Sequence, residues 1–405
     1  MAQPTVNVLL MGVGFFPQLT AGEKNFYSQL IPCLTEKANI AVFSLNDLDD
    51  PVLYQTTDNG PVPIYCTRRP LHRDYERFFF KADGYLAYHH RHPPLREACE
   101  KFFATLVYLP KLRNIIRRHR IDVIHFMDNF GLAMPLMRLA APRTSVTFSA
   151  ANYDPRGQPR AYHLYLKTSL RWLNAIAVYT KSYMNILDSI GIATPKQIVH
   201  WGVPIRKPPE PTIQKAVRRT FSVPDNSIMV LWSGFLQQIG ESDFIRTVDV
   251  ARAMVRNNVN IHFVFAFKPE SFEDRFADFA RPQISIVGGV DNFRDLLGSA
   301  DVLLSPIGAQ DSTVSPPLTW LEAMAVGVPV ITTAVAGVES VISHLETGFV
   351  ASSYDHLRET IMLTIDKDRL QSISAAAARY VQEHYSLERA AQLHIDFWNR
   401  VTPNG

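Results

Sequence analysis

The chain has 405 residues, of which 47% are hydrophobic and 20% are charged. This is the composition of a globular protein long enough for two or three domains, and it excludes a disordered chain. The net charge is only +3, so we expect no nucleic-acid partner.

The N-terminal segment predicts the start of a doubly wound α/β domain. Residues 5–12 have the composition of a buried strand, residues 12–17 form a loop that contains Gly14, and residues 22–37 favour a helix. The first apolar run has no basic flank, which favours a strand over a signal peptide. No apolar run reaches the roughly 18–20 residues of a membrane span. Three scattered cysteines suit a reducing compartment, so we expect a cytoplasmic protein.

The start of the predicted helix carries Glu23, Lys24 and Asn25. These side chains have two interpretations: they line a binding cleft, or they form a solvated helix start at which the helix dipole favours Glu23. We favour the cleft, because loops that follow the carboxyl ends of strands carry function in open α/β sheets.

Strands are predicted at 39–45 and 62–67, and the window 68–120 follows them. This window contains thirteen Lys and Arg against five Asp and Glu, with aromatic residues interleaved. Basic and aromatic helices suit an anionic membrane surface or a phosphate-bearing acceptor. The alternative is an ordinary helical insert whose charges are solvated. The histidines at 89, 90 and 92 lack ligand spacing, so we predict no metal site.

Residues 122–128 predict a strand with a polar tip that carries His125 and Asp128. Further strands are predicted at 144–149 and 175–179, a strand followed by a turn is expected at 199–204, and the proline-rich segment 206–211 predicts a hinge. A second α/β unit follows, with strands at 228–234, 260–267, 283–288 and 301–305 and terminal helices at 367–383 and 386–400.

The segment 311–350 has the most distinctive pattern in the chain. Ser315 predicts a helix N-cap, Pro316–Pro317 suit a first turn, Gly327 ends the helix, and a strand follows at 328–333. The helix is otherwise apolar, and Ser315, Thr319 and Glu322 form one polar stripe. Since burying a lone carboxylate is costly, Glu322 either faces a cleft or pairs with an Arg or Lys of the fold.

Residues 321–330 read LEAMAVGVPV, and Ala336-Gly337 and Thr347-Gly348-Phe349-Val350 follow. This ordered series resembles the C-terminal signature of the family 4 retaining glycosyltransferases of the group 1 type. The resemblance implies the GT-B fold, in which two Rossmann-like doubly wound domains face a central cleft. We expect an acceptor domain at 1–205, a nucleotide-sugar donor domain at 206–385, and a helix at 386–405 that returns to the first domain.

The resemblance also implies site residues. Glu322 corresponds to the glutamate that binds the donor ribose, and the helix start and glycine turns face the phosphates and sugar. The expected donor-binding residues are Gly14, Gly234, Gln237, Gln238, Ser315, Pro316, Thr319, Glu322 and Gly337. Glu23, Lys24 and Asn25 are expected on the acceptor side, and His125 and Asp128 are the catalytic candidates.

The expected partners are a nucleotide-sugar donor, a sugar, glycolipid or other small acceptor, and an anionic membrane surface at which the protein is peripheral on the inner face. No metal or other cofactor is expected. The chain departs from the family at four donor contacts, where it has Met127, Phe235, Ile239 and Val314. Two of these are cations in the family, and they neutralise the leaving diphosphate. An active transferase therefore stands beside two alternatives: a GT-B protein that binds without transfer, and a GT-B enzyme of other chemistry such as an epimerase.

Overall fold

The computed structural model describes residues 6–13, 22–46, 52–68, 94–150, 155–156, 160–234, 241–257, 260–267, 274–290, 292–308 and 316–402. Within these ranges the side chains of residues 22–24, 46, 68, 94–100, 242 and 274–275 are not described. The chain divides into two units, of which the first contains residues 1–202 and 387–405 and the second contains residues 203–386.

The first unit is built on an eight-stranded sheet in the order β3-β4-β2-β1-β5-β6-β7-β8, parallel except for the β3–β4 pair. Its strands are β1 Val6–Val13, β2 Ala38–Asn46, β3 Val52–Thr57, β4 Gly60–Arg68, β5 Val123–Phe126, β6 Ser145–Ala150, β7 Ala175–Val178 and β8 Lys196–Ile198. Its central strands β5, β6 and β7 are buried on both faces, as parallel strands covered by helices are, whereas the edge strand β3 alternates exposed and half-buried residues.

The helices of the first unit include one from the far end of the chain. They are α1 Gly22–Thr35, α2 Pro94–Val107, α3 Leu109–Arg118, α4 Ala133–Ala140, α5 Arg160–Leu170 and α6 Lys181–Ser189, together with the C-terminal helix Leu387–Val401, which becomes α13 in chain order. Helix α13 buries Leu387, Ala390, Ala391, His394, Ile395, Phe397 and Trp398. This is the apolar spacing of a helix with one face on a core.

The second unit is built on a six-stranded parallel sheet in the order β11-β10-β9-β12-β13-β14. In order of appearance along the chain this is 3-2-1-4-5-6, the order of doubly wound nucleotide-binding sheets. The strands are β9 Ile228–Gly234, β10 Ile261–Phe267, β11 Ile284–Gly288, β12 Val302–Leu304, β13 Val330–Thr333 and β14 Gly348–Ala351.

The helices of the second unit cover this sheet, and its core is rich in aromatic residues such as Trp232, Phe244 and Phe263. The helices are α7 Pro211–Thr220, α8 Glu241–Arg256, α9 Phe293–Ser299, α10 Leu318–Ala325, α11 Leu357–Met362 and α12 Lys367–His384, and short 3-10 turns lie at Asp274–Phe279, Val338–Ser340, Tyr354–His356 and Leu363–Ile365.

Several predicted elements shift or are new. Of the strand and turn expected at 199–204, the strand does not form there, because β8 ends at Ile198 and Val203 makes only an isolated bridge to Ser386. The hairpin partner β3 was not predicted. The loop predicted from residue 12 begins later, because β1 runs to Val13. The window 68–120 is helical at α2 and α3, and residues 69–93, including the three histidines, lie outside the described part.

Two further observations concern the end of helix α10 and the length of the helices. Gly327 ends α10 as predicted, with φ 81° and with the Val328 N–H donating to the Ala323 carbonyl at 2.9 Å, which closes the helix end. Among the described residues, no helix is both long and apolar enough to cross a membrane.

Candidate functional site

The carboxyl edge of the second sheet gathers most of the predicted donor residues that the structure describes. In an open α/β sheet, ligands bind outside the carboxyl ends of the strands, where the strand order reverses. Here the order reverses between β9 and β12, which lie side by side at the centre of the sheet. Gly234 is the last residue of β9 and is half-buried, so the predicted donor glycine lies at this point of reversal.

Helix α10 presents a half-buried stripe beside a buried face. Thr319 and Glu322 are half-buried, whereas Trp320, Leu321, Ala323, Met324 and Ala325 are buried. The Trp320 indole N–H donates to Ser305 Oγ at 2.8 Å, which fixes the helix against the segment that follows β12. The Glu322 carboxylate is therefore held at the surface of a rigid element, and its negative charge acts on Arg206.

The prediction of Ser315 as the N-cap is wrong. Helix α10 begins at Leu318, Pro317 occupies the N-cap position with ψ 138°, and no side chain caps the helix. Each of residues 315 and 316 precedes a proline, and such residues are disfavoured in the helical region. The stripe therefore keeps Thr319 and Glu322. Pro316 is buried ahead of the helix, and Ser315 lies outside the described residues.

The segment after β12 is tied to its neighbours by backbone contacts. The Ile307 N–H donates to Thr333 Oγ1 at 2.9 Å, and that hydroxyl donates back to the Ile307 carbonyl at 2.6 Å. A Cβ added to Gly308 would lie 2.1 Å from Asp243 Oδ2. Only glycine therefore allows this backbone to lie against the Asp243 carboxylate.

Asp243 lies in the first turn of α8 and is 9% exposed, a position that the helix dipole favours for a carboxylate. Arg246 Nη1 lies 3.8 Å from Asp243 Oδ1, and the Arg246 guanidinium carbon lies over the Tyr354 ring, 4.1 Å from its centroid. Burial raises the pKa of Tyr354 to about 12, so this phenol stays neutral at physiological pH. The cluster orders the backbone at the carboxyl edge.

Gly337 lies in a tight turn with a conformational reason for glycine. Its φ is 89°, and it opens the 3-10 turn Val338–Ser340. Two hydroxyls at the end of α12 hold this turn in place. The Tyr380 and Tyr385 hydroxyls both donate to the Ser340 carbonyl, at 3.0 and 2.6 Å. Burial raises the pKa of Tyr385 well above its usual value. The donor-binding role of Gly337 stays a prediction.

His125, one of the two catalytic candidates, is a core residue of the first unit, and its catalytic role stays a prediction. Its side chain is 0% exposed. Nδ1 lies 2.9 Å from Thr147 Oγ1, and Nε2 lies 2.9 Å from both the Tyr27 hydroxyl and Ser149 Oγ. Both ring nitrogens are thus occupied by neighbouring side chains of the first unit, and burial followed by the charge of His394 lowers the pKa of His125 well below its usual value.

Asp128 and Met127 lie at the end of β5. Asp128 is half-buried and accepts the Val13 N–H at 2.8 Å, which ties the ends of β1 and β5 together. Met127 is 3% exposed, and a Cβ on Gly12 would lie 2.7 Å from its Cε. The family's histidine position is here filled by a packing residue. The catalytic role of Asp128 stays a prediction.

Several predicted residues lie wholly or partly outside the description. Gly14, Gln237, Gln238 and Ser315 fall outside the described residues, as do the departures Phe235, Ile239 and Val314. Glu23 and Lys24 belong to the first turn of α1, but their side chains are not described, whereas Asn25 is exposed there. Among the described residues, no group of three His, Cys, Asp or Glu side chains is arranged to hold a metal ion.

Sequence reasoning missed three residues that support this edge. They are Ser305, which receives the Trp320 indole N–H, and the Asp243–Gly308 pair. A glycine soon after a strand carries a signal for close backbone approach, but the identity of the approaching carboxylate depends on a helix more than sixty residues away.

Comparisons with known proteins agree with the position of this edge. Residues 229–365 match the model of the family Glycosyl transferases group 1, a range that runs from β9 to the turns after β14. This match confirms the resemblance of the 311–350 motif to glycosyltransferases of the group 1 type. It covers the β9 and β12 ends, α10 and Gly337.

Two curated relatives and one solved structure are also similar to this chain. The lipopolysaccharide glucosyltransferase WaaG of Escherichia coli is 26% identical over 194 residues, 45% of this chain and half of the relative's length. A GDP-mannose-dependent phosphatidylinositol monomannoside mannosyltransferase of Mycobacterium tuberculosis is 22% identical over 71% of this chain and 78% of its own. Anabaena HepE in complex with UDP superposes with a TM-score of 0.69 at 12% identity, over 98% of this chain and 100% of the other. The predicted GT-B fold, with two parallel α/β domains, is confirmed.

Proposed function

We propose that this chain transfers a sugar from a nucleoside diphosphate sugar to an acceptor, because residues 229–365 match the model of the family Glycosyl transferases group 1. The observation that carries this proposal is the position of Glu322. It is a half-buried carboxylate on a helix fixed at the carboxyl edge of a sheet with nucleotide-binding strand order. A carboxylate in that position accepts hydrogen bonds from the two hydroxyls of a ribose.

Donor binding at this edge is favoured if the protein groups there are fixed before the donor binds. Two contacts of the described residues fix them. Trp320 holds α10 to Ser305, and Gly308 lies against Asp243, so Glu322 and the segment that follows β12 keep a fixed separation without a ligand. Such preorganisation lowers the entropic cost of binding. One similar protein depends on GDP-mannose and another binds UDP, so both bases are candidates for the donor.

The test is a panel of UDP-, GDP- and ADP-sugars, first by thermal shift and then by release of the nucleoside diphosphate with sugar and glycolipid acceptors. We expect one base to stabilise the protein and to support turnover. Binding without turnover would instead make the chain a nucleotide-sugar-binding protein, and the absence of binding to every member of the panel would contradict the donor site altogether.

We further propose that transfer retains the anomeric configuration and needs no metal ion. The support for both is the resemblance of the 311–350 motif to the retaining family. The expected result is a product of the same anomeric form as the donor, read by NMR, with unchanged rates in EDTA. Loss of activity in EDTA that Mg²⁺ or Mn²⁺ restores would contradict the second statement.

For the acceptor side we propose a glycolipid at an anionic membrane surface on the cytoplasmic side. The support is a mixed surface on α2 and α3. Phe103 is 55% exposed and Val107 is 60% exposed on α2, and Arg113, Arg117 and Arg118 are exposed on α3. Apolar side chains beside cations suit an anionic bilayer. The named relatives act on lipopolysaccharide and on a phosphatidylinositol mannoside.

Co-sedimentation with vesicles tests this surface. The double variant Arg113→Gln/Arg117→Gln should lose most binding to phosphatidylglycerol vesicles, and wild-type binding should weaken as salt rises because exposed charges are screened. Arg256→Gln, at the end of α8 in the second unit, is the matched control. Equal binding to neutral phosphatidylcholine vesicles at high salt would contradict the electrostatic part of this proposal.

A further inference from the structure

A cavity of about 350 Å³ lies at the amino edge of the first sheet, within the first unit. It is bounded by the starts of β1, β2 and β4, by the end of α1 and by the turn between α3 and β5. From Asn7 near the start of β1 to Val13 at its end, the distance is about 20 Å at roughly 3.3 Å per residue. The cavity is therefore separate from the carboxyl edge of this sheet, where Asp128 lies.

The lining of the cavity is polar and uncharged. Its polar side chains are Asn7, Thr35, Asn39, Asn59 and His119, and the rest of the lining is apolar or glycine. Burial and then the nearby charge of an arginine lower the pKa of His119, so its imidazole is neutral at physiological pH. Among the described residues that line the cavity, none is Lys, Arg, Asp or Glu. A charged ligand would lose its hydration here without gaining a counter-charge.

Hydrogen bonds fix the orientation of two of the carboxamides. Asp122 Oδ2 accepts the backbone N–H of Asn7 at 2.9 Å and the Asn7 Nδ2–H at 2.8 Å. Because an ionised carboxylate only accepts, the Asn7 nitrogen faces Asp122 and Asn7 Oδ1 accepts from Asn39 Nδ2 at 2.8 Å. Among the described residues, the Asn39 carbonyl oxygen and its second amide proton have no protein partner. Asn39 thus offers one acceptor and one donor at the cavity.

The walls of the cavity are held without a ligand. At the end of α3, the Ile121 N–H donates to the Ile116 carbonyl at 2.9 Å, which closes the turn that carries His119. The His119 Nε2 lies 2.7 Å from the Tyr65 hydroxyl. On the opposite wall, Thr57 Oγ1 donates to the Gly60 carbonyl at 2.7 Å, which fixes the turn between β3 and β4. A cavity with fixed walls lowers the entropic cost of binding.

We propose that this cavity binds a neutral sugar, as a mono- or disaccharide unit. Each sugar hydroxyl is both a donor and an acceptor, which matches the two open positions of Asn39, and the C–H face of a sugar ring fits the prolines at 61 and 63 in the lining. An apolar ligand would instead leave the carboxamides unpaired. The volume lies at the lower end of the roughly 300–1,000 Å³ of small-molecule sites. This second site goes beyond the proposed function, because it does not depend on transfer or on a donor.

Saturation-transfer NMR titrations test the cavity with glucose, galactose, mannose, maltose and lactose, and with glucuronate and glucose 6-phosphate as charged counterparts. At least one neutral sugar should bind, and the charged sugars should bind more weakly. Asn39→Ala should weaken binding of that sugar about tenfold, equal to about 1.4 kcal/mol. Asn39 is exposed, so this variant should fold, as circular dichroism would verify. Asn114→Ala is the matched control, since Asn114 is exposed on α3 and is not part of the lining.

Hydrogen exchange locates the bound sugar. At a saturating concentration it should slow exchange in the two turns that form the walls, at residues 57–60 and 119–121. The inference is overturned if no neutral sugar of the panel binds, if the charged sugars bind as well as the neutral ones, or if Asn39→Ala binds like wild type. Binding that leaves both turns unchanged places the sugar elsewhere, as at an acceptor site, and also overturns it. None of these results bears on the donor site, which is tested separately with UDP and GDP.

Discussion

Acidification should release the C-terminal helix α13 from the first unit through two buried histidines. His394 on α13 and His125 on β5 are both 0% exposed. His394 Nδ1 lies 2.8 Å from the Ala390 carbonyl, so this nitrogen carries the proton and Nε2 is an acceptor toward the Tyr27 hydroxyl at 3.4 Å. Both rings fit their neighbours only when neutral, since a second proton would place a charge among aromatic side chains.

The size of the expected loss of folding stability follows from the pKa of His394. Burial lowers it from 6.5 to about 4, and the bond to Ala390 raises it by less. The unfolded chain therefore binds more protons than the folded one between these values, so stability falls as the pH falls. At about 1.36 kcal/mol per unit, His394 contributes on the order of 3 kcal/mol, fully present above pH 6.5 and lost as the pH falls through about 4. His125, whose pKa is lowered in the same direction, adds to this loss.

Hydrogen exchange read by mass spectrometry measures this loss at the helix itself. A global melting curve mixes two units, whereas the amides of residues 387–401 report the local opening of α13. Between pH 7 and 4.5, after correction for intrinsic exchange, wild-type protection in this peptide should fall steeply. His394→Gln should show a shallower fall, because the titrating group is gone.

The control for this experiment is His384→Gln, at an exposed histidine of the second unit whose side chain is 53% exposed. Its pH profile at 387–401 should match that of wild type. Identical profiles for wild type and His394→Gln would refute the reasoning, because the carboxylates of the chain would then account for the whole acid effect.

The remaining predictions concern the carboxyl edge of the second sheet. Glu322→Gln should weaken binding of the donor about tenfold at an unchanged melting temperature; a lower melting temperature with unchanged affinity would make Glu322 a purely structural partner. Gly308→Ala should lower stability by about 1–3 kcal/mol in urea titrations, and the loss should shrink when Asp243→Ala removes the carboxylate that the new methyl group meets. Trp320→Phe should lower stability by about 1 kcal/mol because Ser305 loses its donor, and equal urea midpoints would show that this bond contributes nothing.

Local signals in the sequence predicted the second unit well. Gly327 ends α10 and the next strand follows within three residues, because a glycine with positive φ and a short apolar run are properties of adjacent residues. The prediction of Ser315 as the N-cap of α10 failed for a reason that is also local. Two successive prolines move the helix start to Leu318, and the capping preference of Ser315 does not act from outside the helix.

Long-range packing explains why the burial of His125 was not predicted from the sequence. A histidine near the carboxyl end of a strand is a reasonable catalytic candidate, but His125 is covered by α13, whose Trp398 ring lies 5.4 Å from the imidazole. That helix lies about 270 residues further along the chain, and no local pattern predicts where it packs. The missed strand β3 is different, since Asn59-Gly60 is a hairpin signal and Gly60 has φ 109°.

The two readings of Glu322, a ligand for ribose and a partner of a cation, are compatible. In the free protein the charge of Glu322 acts on Arg206, so the carboxylate has a cationic neighbour before any ligand is bound. In the proposed donor complex, ribose hydroxyls donate hydrogen bonds to the same carboxylate. An ionised carboxylate has two oxygens with about four lone-pair sites, so it accepts both hydroxyls without losing the attraction of Arg206.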